Sequence, residues 1–462
     1  MPTPEDFEMS RRRFLAAGAV AGAACLARAR GAAPGKGAER IAPFRVGGDR
    51  LLVPAAYYGP VEARLRVTAA AELRVDPADV VTVRDEPLQL GDKPPSGFFV
   101  GAHLQSTLAG RIGAFGSLRG ESVTVRDASG RTLRRGADYL VSAPFALLGI
   151  GPKPSIEPTT PVFISYSHFL QRIDTVAVDA AGHASLVRGV PHVALPEPAA
   201  APPGATAIAR VYRPFGATGL SEAHVFPIVA RATDATTATT TGRLPRTLAK
   251  LRAGGPVKVV CWGDSITVGG DVAPEDAWAN RLRRELARAF PATRIDHANH
   301  SIGGTKSAQW LHNGDFPGLP KQNPEKCRFD LVLGENPDVV IMEFLNDIVF
   351  DADVLRQTYG AIDAAFRSRG IEWLIVTPSQ KVPQPMDLTE MVDGRSRLLD
   401  TFLREFAADR GHALADAAAR WKHLHREGVP YFALFGNAFN HPNAYGHGLF
   451  IEEIMKCFQD RS

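Results

Sequence analysis

Four short stretches of the chain hold the side chains best suited to covalent chemistry. They are Gly263-Asp264-Ser265-Ile266, Asn299-His300-Ser301-Ile302-Gly303-Gly304, Leu345-Asn346-Asp347 and His441-Pro442-Asn443. A serine hydroxyl is a poor nucleophile until an imidazole within hydrogen-bond reach takes its proton, and Ser265 with His441 can supply that pair. Attack on an ester carbonyl builds negative charge on oxygen, which fixed donors must meet. The backbone N–H groups of Ser265 and Gly304 and the side-chain amide of Asn346 suit that task, and glycine at 304 lets the backbone approach a substrate closely. Each residue alone has an ordinary explanation: Ser265 can cap a helix and Asn346 can shape a turn. Taken together, these groups suit acyl transfer. Asp264 and Asp347 read as braces for their loops.

The elements around these stretches have the rhythm needed to bring them together. Val257–Trp262 is a short apolar run with β-branched residues, as a buried parallel strand should be. Trp278, Leu282, Leu286 and Phe290 then recur every four residues until Pro291. Asp338–Phe344 and Glu372–Pro378 read as further strands. Leu355, Tyr359, Ile362 and Phe366 mark a helix closed by Gly370, and Leu399, Phe402 and Phe406 another closed by Gly411. Such alternation predicts an α/β fold with a parallel, doubly wound sheet covered on both faces. In sheets of this kind ligands bind beyond the carboxyl ends of the strands, which is where the four stretches fall.

This set resembles the SGNH (GDSL-like) hydrolase family over about Val257 to Phe458. The resemblance implies a flavodoxin-like three-layer domain in which Ser265 is the nucleophile. Gly304 and Asn346, with the Ser265 amide, would be oxyanion donors, and His441 the base. Two positions depart from the family pattern. An Asp that usually stands three residues before the histidine, where it orients the imidazole, is replaced by Ala438, and Phe344 stands where the pattern has Gly. The orienting carboxylate then comes from elsewhere, or a backbone carbonyl holds His441 in a Ser–His dyad; Asn437 and Asn440 are the side-chain candidates. His447 reads as a helix-packing or rim residue. His297 with His300, and His423 with His425, lack a third ligand at suitable spacing, so no metal and no cofactor are expected.

Ahead of this half, residues 42–245 read as a β-sandwich-like accessory domain. Short runs such as Arg50–Tyr58 and Val162–Tyr166 are bounded by Gly, Pro and Asp. Two hairpins are expected, Val123–Arg134 turning at 127–130 and Val176–Arg188 turning at 179–182. The stretches Leu195–Ala205 and Thr233–Thr241 read as loops or linkers. The catalytic domain is placed at 256–462.

Residues 1–33 have the parts of a twin-arginine (Tat) signal peptide: Ser10-Arg11-Arg12-Arg13-Phe14-Leu15, then the weakly apolar Ala16 to Ala27. Cleavage after Ala29 or near Ala33 would leave a periplasmic or secreted protein, with the Tat machinery as an export partner. Of Cys25, Cys261, Cys327 and Cys457 three would remain, so at least one stays unpaired. A net charge of +4, from 53 basic and 49 acidic residues among 462, gives no basic face for nucleic acid. No apolar run reaches the ~18 residues of a membrane span. Export plus an accessory β-domain favours an esterase removing O-acetyl groups from a polysaccharide or oligosaccharide. The alternatives are a lipase or general carboxylesterase acting on small esters, and a glycan-binding protein that keeps the fold without turnover.

Overall fold

The computed structural model describes residues 44–381 and 397–459. The expected signal peptide at 1–33, including Cys25, lies outside the described residues. Five parallel strands form the sheet of the C-terminal half, in the order Ile295–Ser301, Val257–Gly263, Val339–Glu343, Glu372–Val376 and Ala413–Ala415. Successive side chains of a strand point to opposite faces, and the two cores divide accordingly. Val257, Val259 and Cys261 pack with helices Pro245–Arg252, Trp278–Ala289 and Ala444–Cys457. Val260 and Trp262 pack on the other face with Ala352–Ser368 and Leu398–Arg410. The three-layer α/β arrangement is therefore present. Phe344, one of the two departures from the family pattern, fills this second core edge-on to Trp262, with ring centres 5.2 Å apart.

In the preceding region the strands pair antiparallel, and they enclose two sandwich-like cores. In one, the sheet of Arg45–Gly47, Arg50–Val53 and Ala71–Arg74 shares Leu51, Val53, Val176 and Val211 with a four-stranded sheet built on Arg172–Val178 and Thr206–Arg213. In the other, Val80–Gln89, Thr124–Asp127 and Pro161–Phe169 share Val125, Leu148 and Ile164 with the sheet of Tyr139–Ser142 and Leu147–Ile150. The hairpin at 179–182 forms, Arg172–Val178 pairing with Ala184–Val187. At 127–130 the turn forms, with Gly130 N–H donating to the Asp127 carbonyl at 3.0 Å. Its first strand, however, finds its long partner in Pro161–Phe169.

The Thr-rich stretch expected as a loop or linker has a more definite task. Thr240 N–H donates to the Leu414 carbonyl at 2.9 Å, and its Oγ1 accepts from Leu414 N–H at 2.9 Å. Thr239 Oγ1 accepts from Asp416 N–H at 2.8 Å. The stretch lies along Ala413–Ala415 and occupies donors and acceptors that an edge strand would otherwise present to solvent. Cys261, Cys327 and Cys457 are all free and buried.

Candidate active site

Sheet register brings three of the four stretches to one rim. Gly263 pairs with Ser301 on one side and with Glu343 on the other, so Ser265, Gly304 and Asn346 each follow within three residues of the same level. Asn299, His300 and Ser301 belong to the strand itself, so only the Gly303-Gly304 turn projects past it. Gly304 adopts φ +78° with open space where a side chain would stand. A Cβ on Gly303 would lie 3.6 Å from the Cβ of Ser265.

Asp264 ties two of these loops together. It caps the short helix Ser265–Val268, one oxygen accepting from Ile266 N–H at 3.0 Å. The other accepts from Asn346 N–H at 2.9 Å. Asp347 does the same for the next pair, accepting from the Ser307 amide at 2.9 Å, the Ser307 hydroxyl at 2.5 Å and Tyr359 OH at 3.1 Å. Burial pushes the Asp264 carboxyl above its ordinary range and that of Asp347 up to about 7. Glu343, fully buried and beside Asp264, is pushed well up as well. Its Oε2 accepts from Thr267 Oγ1 at 3.0 Å.

The decisive contacts are those of His441. Its Nε2 lies 2.8 Å from Ser265 Oγ and its Nδ1 lies 2.5 Å from Asp271 Oδ2. Neither Asn437 nor Asn440 orients the imidazole, which corrects that expectation. Asn437 Oδ1 instead accepts the amides of Phe439, Asn440 and His441 at 2.9–3.0 Å, while its Nδ2 donates to Asn440 Oδ1. It holds the shape of the loop. Asp271, six residues after the serine, is the group the sequence reading missed. The available signal was an acid closing the Gly269-Gly270 turn of the nucleophile's own loop.

The move of the acid away from position 438 has a packing reason. Ala438 adopts φ +55° and is buried with Ala109, Ala114, Val193 and Ala194 of the antiparallel region. A carboxylate there would be desolvated among apolar side chains. Asp271, whose side chain is 3% exposed, is partnered instead. Burial works against its charge, but bonds from His441 and the Arg111 amide outweigh it and hold the carboxyl below its ordinary range. Close approach in this corner depends on glycine. A Cβ on Gly270 would come within 2.7 Å of His441 Nδ1, and one on Gly436 within 2.7 Å of the Asp271 carbonyl.

An Asp–His–Ser relay beside the Gly304 turn and Asn346 is an arrangement that can activate a hydroxyl for acyl transfer. The chain from Cys261 to Leu449 also matches the model of the GDSL-like Lipase/Acylhydrolase family. Residues 261–449 are a GDSL-like lipase/acylhydrolase domain. No curated protein matches the chain. Among solved structures, a two-domain esterase (CEX) active on acetylated mannans is similar at 18% identity, covering 48% of this chain and 54% of that one, with a TM-score of 0.36. A variant of Axe2, an acetyl xylan esterase from Geobacillus stearothermophilus, is similar at 20% identity, covering 45% and 97%, with a TM-score of 0.30. The psychrotrophic esterase EstA from Pseudoalteromonas sp. is similar at 17% identity, covering 43% and 94%, also at 0.30. The chain thus spans about half the length of the two-domain esterase it matches.

Five other histidines of this GDSL-like domain are structural. His447 is buried, its Nδ1 accepts from the Trp278 amide at 3.2 Å, and burial pushes its pKa down to about 3. His300 Nε2 pairs with Glu335 at 2.9 Å, and His297 Nε2 faces the Cys261 thiol at 3.4 Å. His423 Nε2 donates to the Arg231 carbonyl at 2.9 Å, and His425 lies edge-on to Phe226. Among the described residues no group of three or more His, Cys, Asp or Glu is placed to hold a metal ion.

Proposed function

We propose that the chain is an exported serine esterase that removes acyl groups, O-acetyl above all, from a polysaccharide or oligosaccharide. The observation that carries the chemistry is the continuous Asp271–His441–Ser265 contact. In this reading His441 Nε2 takes the Ser265 proton as Oγ attacks the ester carbonyl, and Asp271 stabilises the imidazolium that results. The developing oxyanion is met by the amides of Ser265 and Gly304 and the Asn346 side chain. Collapse of the tetrahedral intermediate expels the alcohol, which receives the proton from His441 and leaves an acyl-serine. Water, deprotonated by the same imidazole, then releases the acid and returns the hydroxyl to Ser265. A missing orienting acid would favour a fold kept without turnover, and the Asp271–His441 contact weighs against that alternative.

Two features favour a glycan. The twin-arginine pattern at Arg11-Arg12 fits export to the space outside the cytoplasm, and such polymers lie there. A cluster of aromatic rings from the antiparallel region also packs on the loop that carries His441. Phe98 packs on Phe439, two residues from His441, at 4.8 Å, and on Phe145 at 4.6 Å, with Phe115 behind at 5.3 Å. Flat apolar faces of this kind suit the C–H face of a sugar ring. They suit a longer acyl chain too, which keeps a lipase or general carboxylesterase as the second reading. Labelling by a fluorophosphonate probe in the wild type, lost in Ser265→Ala, tests the nucleophile. Acetate release from acetylated xylan, pectin and chitin oligomers, set against short and long p-nitrophenyl esters, tests the substrate. Turnover of long-chain esters with no acetate release from any polymer would overturn the glycan assignment.

A further inference from the structure

A hairpin of the antiparallel region reaches the carboxylate of Asp271. Its arms, Leu108–Ala109 and Ile112–Gly113, pair Leu108 with Gly113 and Ala109 with Ile112, leaving Gly110-Arg111 as a two-residue turn. Gly110 adopts φ +63°, the left-handed conformation that tight hairpin turns ask of their first central residue. The Arg111 backbone N–H donates to Asp271 Oδ1 at 2.9 Å, while Oδ2 faces His441. The two carboxylate oxygens are thus divided between the hairpin and the imidazole.

The fit at the tip leaves no room for a side chain. A Cβ on Gly110 would stand 2.5 Å from Asp271 Oδ1 and 2.7 Å from its Cγ. The arm that presents this tip is itself fixed. The Ala114 amide donates to the Thr107 carbonyl at 2.8 Å. Ala109 and Ala114 are buried against Ala438, in the loop that carries His441. One hairpin therefore touches both the acid's loop and the base's loop.

We infer that the Gly110-Arg111 tip is a positioning element of the reaction, holding the Asp271 carboxylate in the orientation that presents Oδ2 to His441. The antiparallel region then contributes to the chemical step itself. A carboxylate with one oxygen pinned cannot rotate about its terminal torsion, and that torsion is otherwise broad. This inference rests on the serine-esterase reading, and the test separates the two.

The experiment uses the full chain and a p-nitrophenyl acetate assay, with active sites counted by the fluorophosphonate probe. Two variants act on the contact in different ways. Gly110→Ala pushes a Cβ into the carboxylate; Arg111→Pro removes the donor and sets its ring Cδ where the amide hydrogen met Oδ1, and stands in if the first does not fold. Gly130→Ala, at a left-handed glycine with nothing within 4 Å, controls for backbone strain. The expected result is a loss of about 10- to 100-fold in kcat per titrated site, with KM within about threefold. In an Asp271→Ala background the same changes should cost less than about threefold, because the group they position is gone. Variants within about threefold of Gly130→Ala, or equal losses in both backgrounds, would overturn the inference. Full activity in Ser265→Ala would instead overturn the esterase reading beneath it.

Discussion

Replacing Asp271 by Asn tests the relay at its least expected member, and the structure fixes how the variant should fail. The side chain is 3% exposed, and His441 is 19% exposed, so water cannot freely take over a lost partner. Arg111 N–H needs an acceptor at the Oδ1 position, and an asparagine can meet it only with its carbonyl oxygen. The NH2 group must then face His441 Nδ1, where it can only donate. That bond selects the tautomer with its proton on Nε2, the nitrogen that has to accept the Ser265 proton. A base held in the wrong tautomer loses about 10,000-fold in kcat where this has been seen in Ser-His-Asp enzymes. That is about 5.4 kcal/mol of barrier, at about 1.36 kcal/mol per decade. Asp271→Asn should therefore show a drop of about 1,000- to 10,000-fold in kcat for p-nitrophenyl acetate, with an unchanged circular dichroism spectrum. KM should move little. A loss under about tenfold in a folded variant would refute the tautomer argument and return the support of the imidazole to another group.

His441→Ala should abolish turnover and slow fluorophosphonate labelling; esterase activity within about tenfold of wild type would refute its role as base. Asn437→Ala should cost less than about 100-fold in kcat while lowering Tm. It strips three loop amides of their acceptor, and each buried orphan costs about 1–3 kcal/mol before water or relaxation offsets it; a normal Tm with a ~10,000-fold activity loss would contradict this. Asp347 is raised on folding from 3.8 to about 7, so its contribution favours the fold most below the unfolded value and is lost as pH rises through about 7. Tm should decline over that window more steeply in the wild type than in Asp347→Asn, and identical profiles would rule the assignment out. Replacing Arg11 and Arg12 by Lys keeps the charge but should block export, as judged by the precursor remaining in the cytoplasm.

What could be read in advance was whatever depends on local period or on residues adjacent in sequence. The strand Val257–Gly263 announces itself by a run of apolar residues, and the helix Trp278–Ala289 by leucines one turn apart. Ser265, Gly304 and Asn346 stand just past strand ends, so fold class alone brings them to one rim. Asp271 was hidden because its role depends on a turn with φ +60° that folds the chain back toward a histidine 170 positions away. Asn437 was misread for the opposite reason. Its nearness in sequence to His441 is real, yet the side chain spends its acceptor on backbone amides. The Thr233–Thr241 stretch has a linker's composition. Only the unpaired edge at Ala413–Ala415, invisible in one dimension, gives it a place to bind.

That edge cover bears on how the chain reaches its fold. Thr239 and Thr240 bond to residues 174–177 positions later, and Arg111 to one 160 positions later. Contacts between residues so far apart in sequence make for a slow search, because long loops must close before they are rewarded. The polypeptide emerges with the cover synthesised before the strand it protects, so the edge meets its partner as soon as it forms. The hairpin tip likewise precedes the carboxylate it touches. A polypeptide with this order has reason to finish folding where chaperones are at hand and to cross a membrane afterwards. The twin-arginine route proposed for it would allow that.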